Sequence, residues 1–111
     1  MNIIKNSRKK ELYDILKELF KLALKNDYKN YINLKKDFNN LIIIIFGHNL
    51  SKGEEGFEWD FARNQTDNII TIRNAMINFS NNEKLRLKYE KMLKEHILKT
   101  EKIIEDIKKL I

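Results

Sequence analysis

The 111-residue sequence contains no cysteine and no proline, and it has only three glycines and two histidines. Without cysteine the chain can form no disulfide, no thiolate nucleophile and no cysteine-based zinc or iron–sulfur site. Two histidines are too few for a metal site built mainly from imidazoles. The scarcity of glycine and proline argues against a β-sandwich or β-barrel, because those folds need many tight turns. We therefore expect neither a metal nor any other cofactor.

Long apolar segments are also missing. The longest apolar run, Leu41 to Phe46, has six residues, whereas about 20 are needed to span a bilayer. The N-terminus, Met1 to Lys5, has no apolar region typical of a secretory signal. With apolar residues at 42% and charged residues at 34%, residues 1–111 are expected to form one soluble cytoplasmic domain.

The charge is unbalanced towards bases, with a formal net charge of +6. A basic chain favours nucleic acid, an anionic surface or an acidic protein as a partner. Of the 22 bases 18 are lysines, interleaved with acids, so solvated helix faces explain them equally well. Isoleucine, lysine and asparagine supply 49 of the 111 residues. Because their codons are A/T-rich, we hypothesise that the source is a low-GC bacterium or one of its phages or plasmids.

Hydrophobic periodicity predicts an all-α fold, a single four-helix up-down bundle. All three glycines fall within residues 47–56, which predicts a long loop that divides the chain into two helical halves. A three-helix arrangement is the alternative, should the third and fourth helices be continuous. The predicted helices are 6–25, 28–46, 57–79 and 81–110.

Local signals mark the ends of these helices. Asn6 or Ser7 could cap the first helix, and Asn26-Asp27 offers a break before the second. Gly47 suits the left-handed position that ends a helix. The segment Ser80 to Glu83 matches a capping box, in which the serine hydroxyl and the glutamate carboxylate satisfy backbone N–H groups at the start of a helix.

The run Ile42 to Ile45 allows two interpretations. Four β-branched residues favour a buried strand, but the helical period of the preceding stripe continues into them, so a helix is preferred. Ile43 and Ile44 then project off the stripe. Either the second helix is central in the bundle, or it presents an apolar patch to a partner. The long fourth helix could likewise overhang the bundle or meet a second subunit in a homodimer.

An acidic and aromatic segment around the loop is the main candidate for partner binding. Four acids occur there without an intervening base, and exposed aromatic residues surrounded by charge are typical of interfaces. An EF-hand is excluded because its alternating ligands are missing. Acids at a helix N-terminus also stabilise the helix dipole, and core packing explains Trp59 equally well. The candidate residues are Lys52, Glu54, Glu55, Phe57, Glu58, Trp59, Asp60 and Arg63.

A polar run, residues 63–68, follows within the third helix. Gln65 falls on its core stripe, so another group should lie over it, since a buried polar group needs a partner. Arg63 and Asp67 can form an i,i+4 ion pair. We interpret His96 as a core histidine bonded to a neighbour and His48 as a solvated loop residue. No serine lies in a nucleophile elbow and no phosphate-binding loop is present, so we expect no catalysis.

The segment Ile72 to Asn78 resembles the Arg-Asn-x-x-x-His segment of the HEPN family of helical-bundle proteins, many of which are ribonucleases. Arg73 and Asn74 match the first two positions, whereas Asn78 stands in place of the histidine. The resemblance implies an RNase or toxin, usually dimeric. Asn78 cannot act as a general acid or base near neutral pH, so it equally implies an inactive relative that binds RNA or a partner.

Three function classes follow. The first is a non-catalytic interaction protein that binds a larger protein or nucleoprotein complex, comparable with phage inhibitors of host defence such as anti-CRISPR proteins. The second is a nucleic-acid-binding small subunit that contacts RNA or DNA phosphates through its lysine-rich faces. The third is an HEPN-like RNase. A bacteriocin-immunity bundle would also be small and basic, but no membrane feature supports it.

Overall fold

A computed structural model describes the backbone of residues 2–111 and the side chains of residues 7–111. Over this range the chain is a four-helix bundle without strands, measuring 54 × 25 × 21 Å. The predicted all-α fold is confirmed, and residues 79–82 separate the last two helices, which removes the three-helix alternative. The helices are α1 (Asn2–Lys25), α2 (Tyr28–Phe46), α3 (Phe57–Asn78) and α4 (Glu83–Lys108).

The break between α1 and α2 and the end of α2 are formed by the predicted residues. Asn26 adopts a left-handed conformation with φ 57°, and the Asp27 side chain accepts a hydrogen bond from the Asn30 backbone N–H at 3.4 Å. Gly47 has φ 87°, and its N–H donates to the Ile43 carbonyl at 2.7 Å. These turns are therefore set by local sequence, since asparagine and glycine tolerate the left-handed region.

Four predicted helix ends were wrong by a few residues: the starts of α1 and α4 and the ends of α3 and α4. Helix α1 begins at Asn2, so neither Asn6 nor Ser7 is its cap. Helix α4 begins at Glu83, and its cap is Asn82, whose side chain accepts from the Leu85 N–H at 3.1 Å. Ser80 does not cap α4 because its own N–H donates to the Ile77 carbonyl, in the turn that ends α3.

Helix α1 is the central helix of the bundle. It packs against α2, α3 and α4, whereas α2 packs chiefly on α1, and α4 packs chiefly on α3. The interpretation that α2 is central was therefore wrong: Ile42 is buried, but Ile43 and Ile44 are exposed. The buried apolar core comprises Leu12, Leu16, Leu19, Ala23, Tyr31, Phe38, Leu41, Ile42, Trp59, Ala62, Ile69, Ile70, Leu93, Ile104 and Ile107.

Candidate functional site

The loop after α2 and the first turn of α3 form an exposed acidic surface, which we call the acidic segment. The side chains of Glu54, Glu55 and Glu58 are exposed, and Lys52 is exposed beside them. The carboxylate of Glu54 lies 3.3 Å from His48 Nδ1. Glu58 also lies in the first turn of α3, where a negative charge stabilises the helix dipole. Three carboxylates therefore face solvent on one short stretch of chain.

The acidic segment is held against α2 by a close backbone approach. Gly56 has φ 89°, and a Cβ atom built on it would lie 2.5 Å from the ring of Phe46. Only glycine fits here, because the φ value and the nearby ring both disfavour a side chain. Phe46 and Leu50 in turn pack against the core. The backbone that carries the carboxylates is therefore held in place where the loop packs against α2.

The aromatic residues of this region divide between core and surface. Trp59 is only 1% exposed and belongs to the core, so the core interpretation of this residue is the one the structure shows. Phe57 is half-buried. Phe61, which the sequence analysis did not single out, is 40% exposed and follows Phe57 by one helical turn. Phe61 and the exposed part of Phe57 are therefore the aromatic groups that this surface offers to a partner.

Asp60 and Arg63 belong to an internal network rather than to the acidic surface. Arg63 donates to the Asp60 carboxylate at 3.3 Å and to Asp67 at 2.5 Å, which confirms the predicted Arg63–Asp67 pair. Lys35 on α2 donates to the same Asp67 carboxylate at 3.0 Å. The hydroxyl of Tyr31 contacts both Asp67 and Thr66. We call Tyr31, Lys35, Arg63, Thr66 and Asp67 the polar cluster.

The hydroxyl groups of Tyr31 and Thr66 make three contacts within the polar cluster but carry only two protons. The Thr66 hydroxyl donates to the Arg63 carbonyl at 2.6 Å, and the Tyr31 hydroxyl donates to Asp67. The Tyr31 and Thr66 oxygens are also 2.6 Å apart, so two protons serve three contacts. Burial raises the pKa of Tyr31 above its ordinary value, and the hydrogen bond to Asp67 raises it further. Tyr31 is therefore a neutral donor that holds α2 to α3.

The polar cluster closes one side of a cleft between α2 and α3. The cleft has a volume of about 300 Å³, and Tyr28, Thr71 and Asn74 line it together with cluster residues. The side chain of Arg63 is 11% exposed and that of Asp67 27%, so these charges are paired and largely removed from solvent. We assign the cluster a structural role, because each of its five side chains is hydrogen-bonded to another residue of the bundle.

Helix α4 lies over the polar residue on the core stripe of α3. Gln65 is buried, and the Nε2–H of His96 on α4 donates to the backbone carbonyl oxygen of Gln65 at 3.0 Å. Thr100 donates to the His96 carbonyl at 2.8 Å. His96 is thus half-buried and bonded to a neighbour, as interpreted from the sequence.

Two positions of the HEPN-like segment, Asn74 and Asn78, lie on one face of α3, and Arg73 lies off that face. Arg73 is half-buried, and its Nε is buried without a hydrogen-bond partner in the part of the chain whose side chains are described. Asn74 is exposed at the cleft, and Asn78 is exposed at the end of the helix. The HEPN interpretation stays a prediction; RNA cleavage that survives Arg73→Ala would contradict it.

Three members of the polar cluster were not recognised from the sequence. Tyr31, Lys35 and Thr66 were not among the candidate site residues. One signal was present: Lys35 lies one turn after Tyr31 and one turn before the buried Phe38, so a charge interrupts an apolar face. Its partner could not be found, because periodicity does not give the relative positions of two helices.

Comparisons with known proteins give no family for this chain. No protein-family model, no curated protein and no solved structure matches it. Within the described residues, no group of three or more histidine, cysteine or acidic side chains could hold a metal ion. No helix in the described part of the chain is long and apolar enough to cross a membrane.

Proposed function

We propose that this protein is a non-catalytic interaction protein that binds a basic surface on a larger protein or nucleoprotein complex through its acidic segment. The observation that supports this most is the exposure of Glu54, Glu55 and Glu58 beside the half-exposed Phe61. In a chain of net charge +6, a run of acids is the exception. Aromatic residues flanked by complementary charge are common anchors of protein interfaces.

Two further features support binding through this surface. The contact between Gly56 and Phe46 fixes the base of the loop, which lowers the conformational entropy that binding would otherwise cost. Closely spaced carboxylates can also replace nucleic-acid phosphates in a basic groove, since both present oxygen acceptors with negative charge. An inhibitor of a nucleic-acid enzyme, in the manner of anti-CRISPR proteins, is the most specific form of the proposal.

Affinity capture with a charge-matched control tests it. The wild-type protein, the variant Glu54→Lys with Glu55→Lys, and the control Glu18→Lys with Glu95→Lys are immobilised in parallel. All four substituted residues are exposed, and both variants change the net charge by the same amount. Lysate of a low-GC bacterium, with and without nuclease treatment, is passed over each protein, and bound proteins are identified by mass spectrometry.

We expect a basic partner that survives nuclease, is kept by the control and is lost by the Glu54/Glu55 variant. The loss should be at least about tenfold in affinity, as expected when an interface charge is reversed against a basic surface. Equal binding by both variants would contradict the acidic segment as the binding surface. Capture that disappears with nuclease would contradict a protein partner.

Nucleic-acid binding is the second candidate, and the outer face of α4 favours it. Lys84, Lys88, Lys91 and Lys102 are all exposed, and their spacing puts them on one stripe of the helix. Such a stripe can contact phosphates without reading sequence. Binding of a labelled RNA or DNA should then weaken steeply as salt rises, with about one unit of log–log slope lost for each lysine replaced by glutamine.

A further inference from the structure

At the end of the bundle formed by α3, α4 and the turn between them, large apolar side chains are exposed. No residue from Thr71 to Met92 is buried, although this stretch contains Ile77, Phe79 and Leu87, all at least 42% exposed. We call residues 71–92 the tip. Two of its apolar side chains, Met76 and Ile77, line one groove.

The groove lies between α3 and α4 and has a volume of about 350 Å³. Met76, Ile77, Leu93 and Ile97 form its apolar floor, and Arg86 and Lys94 stand at its rim. Every residue that lines it comes from α3, α4 or the turn between them. Helices α1 and α2 contribute none.

The groove continues an interface that the fold already uses. Further along α4, Ile104 is buried and lines a cavity together with Phe20 and Leu24 of α1, and α1 ends at Lys25. Ile97 and Ile104 are two turns apart on one face of α4, so the face that α1 covers is the same face that is open in the groove. Beyond the end of α1, the tip therefore presents the continuation of a surface shaped to receive a helix.

Charge indicates what kind of helix fits. Residues 71–94 contain six bases and only two acids, Glu83 and Glu90, and the charged residues that line the groove itself are Arg86, Lys94 and Glu90. Glu90 is engaged at the rim by Arg86 at 3.4 Å and by Lys94 at 3.7 Å. A second copy of this chain would bring two such basic ends together, which is unfavourable. A partner helix whose apolar stripe is flanked by acidic residues matches the groove, because its apolar side chains pack on the floor and its carboxylates pair with the bases at the rim.

We propose that the tip groove binds an amphipathic helix of a protein partner, with aliphatic or aromatic residues at i, i+3/i+4 and i+7 and acidic residues flanking them. The distance from Arg86 to Ile97 corresponds to about three helical turns at 1.5 Å per residue. This is the length over which helix-in-groove recognition places its apolar anchors. The site lies at the end of α3 opposite to the acidic segment, so it is independent of the proposed function.

Selection from a displayed library of 16-residue peptides tests the proposal. The full-length protein is the target, and each selected peptide is then measured by fluorescence anisotropy against wild type and variants. Ile77→Asp disrupts the floor, and Leu98→Asp is the matched control, because Leu98 is an exposed leucine on α4 at 69% exposure. Lys94→Glu and Lys109→Glu form a second pair, since both lysines are exposed. Circular dichroism confirms that each variant is folded.

We expect enrichment of acidic amphipathic peptides whose affinity falls at least tenfold with Ile77→Asp, falls several-fold with Lys94→Glu, and is unchanged by either control. The Glu54→Lys/Glu55→Lys variant should bind these peptides normally, which separates this site from the acidic segment. Enrichment of no peptide, of basic peptides, or of peptides equally sensitive to Leu98→Asp would overturn the proposal. Sedimentation showing a dimer that Ile77→Asp dissociates would also overturn it, because a second copy would then occupy the groove.

Discussion

Helix α3 contacts its neighbours differently in two consecutive segments. Residues 60–70 contain Arg63, Gln65 and Thr66, and these polar side chains are buried. Residues 71–78 contain Ile72, Met76 and Ile77, and none of these apolar side chains is buried. Residue type alone would predict the opposite, with these apolar side chains buried and these polar side chains exposed.

The difference comes from which helices reach each segment. Tyr31 and Lys35 of α2 contact Asp67, and His96 of α4 donates to the backbone carbonyl of Gln65, so residues 60–70 are enclosed, and the side chains of Arg63, Thr66 and Asp67 are hydrogen-bonded. Residues 71–78 are bordered by α4 and the turn, and at the cleft by the first turn of α2 around Tyr28, and none of them is buried. The enclosed segment therefore uses polar contacts for stability, whereas the tip leaves apolar surface free for binding.

The largest expected effect is that of Asp67→Ala. It removes the acceptor shared by Tyr31, Lys35 and Arg63 and leaves a largely buried guanidinium without its closest partner. We expect the free energy of unfolding to fall by about 3 kcal/mol, as for other broken buried ion pairs. Urea denaturation followed by circular dichroism measures it. Asp106→Ala is the control, since its ion pair with Lys109 is exposed, and it should change stability by less than about 0.5 kcal/mol. Equal effects of the two variants would show that the polar cluster does not hold the enclosed segment together.

Tyr31→Phe tests how much the Tyr31 hydroxyl contributes to the stability of the enclosed segment. Loss of the hydroxyl should destabilise the protein by about 1–2 kcal/mol near neutral pH, because Asp67 and Thr66 each lose a hydrogen-bond partner.

The pH dependence of the Tyr31→Phe effect has a defined sign. An unfolded tyrosine releases its proton near pH 10, whereas burial and the bond to Asp67 keep Tyr31 protonated in the folded state above that pH. The hydroxyl's contribution is therefore full below about pH 10 and is lost as the pH rises further. Urea midpoints of wild type and variant should converge above that pH, and a constant gap would contradict this role of Tyr31.

Phe79→Ala tests how much the tip contributes to its own stability. The rings of Phe79 and Tyr89 are stacked with centroids 5.8 Å apart, and Phe79 is still 42% exposed. We expect a loss of about 1 kcal/mol, with a Phe79–Tyr89 coupling of about 0.5–1.5 kcal/mol in a double-mutant cycle. A loss as large as that of Asp67→Ala would mean that the tip is as tightly packed as the enclosed segment.

Ile77→Asp should have the smallest effect on stability. Since the side chain is 54% exposed, we expect the free energy of unfolding to change by no more than about 0.5 kcal/mol. Thermal denaturation followed by circular dichroism checks this. A markedly lower melting temperature would show that Ile77 supports folding. The tip would then contribute to stability as the enclosed segment does, and the distinction between the two would be wrong.

The candidate surfaces were only partly predictable. The sequence identified the acidic segment, because Glu54, Glu55 and Glu58 stand out from a basic chain. It did not decide whether Trp59 was an anchor or a core residue, since both roles suit tryptophan. It also did not reveal the tip groove, because Met76, which lines the groove, continues the regular apolar stripe of α3. Such a stripe predicts burial, whereas its exposure depends on where a neighbouring helix ends.

The sequence by itself determined the four helices and their main breaks. Apolar residues recur at the helical period, and Asn26, Asp27 and Gly47 interrupt the helices through their own backbone preferences. These are local properties, so they need no knowledge of the rest of the chain. Even there, the choice of Asn82 over Ser80 as the cap of α4 depended on where the turn of α3 ended.

Only the tertiary structure decided which faces met. It placed α1 rather than α2 at the centre, brought Tyr31 and Lys35 of α2 to Asp67 of α3, and left the tip beyond the reach of α1. Helical periodicity fixes the face on which a residue lies, but the axial position of one helix against another is set by packing across the whole interface. Cross-helix pairs and open grooves therefore arise only when the helices are assembled.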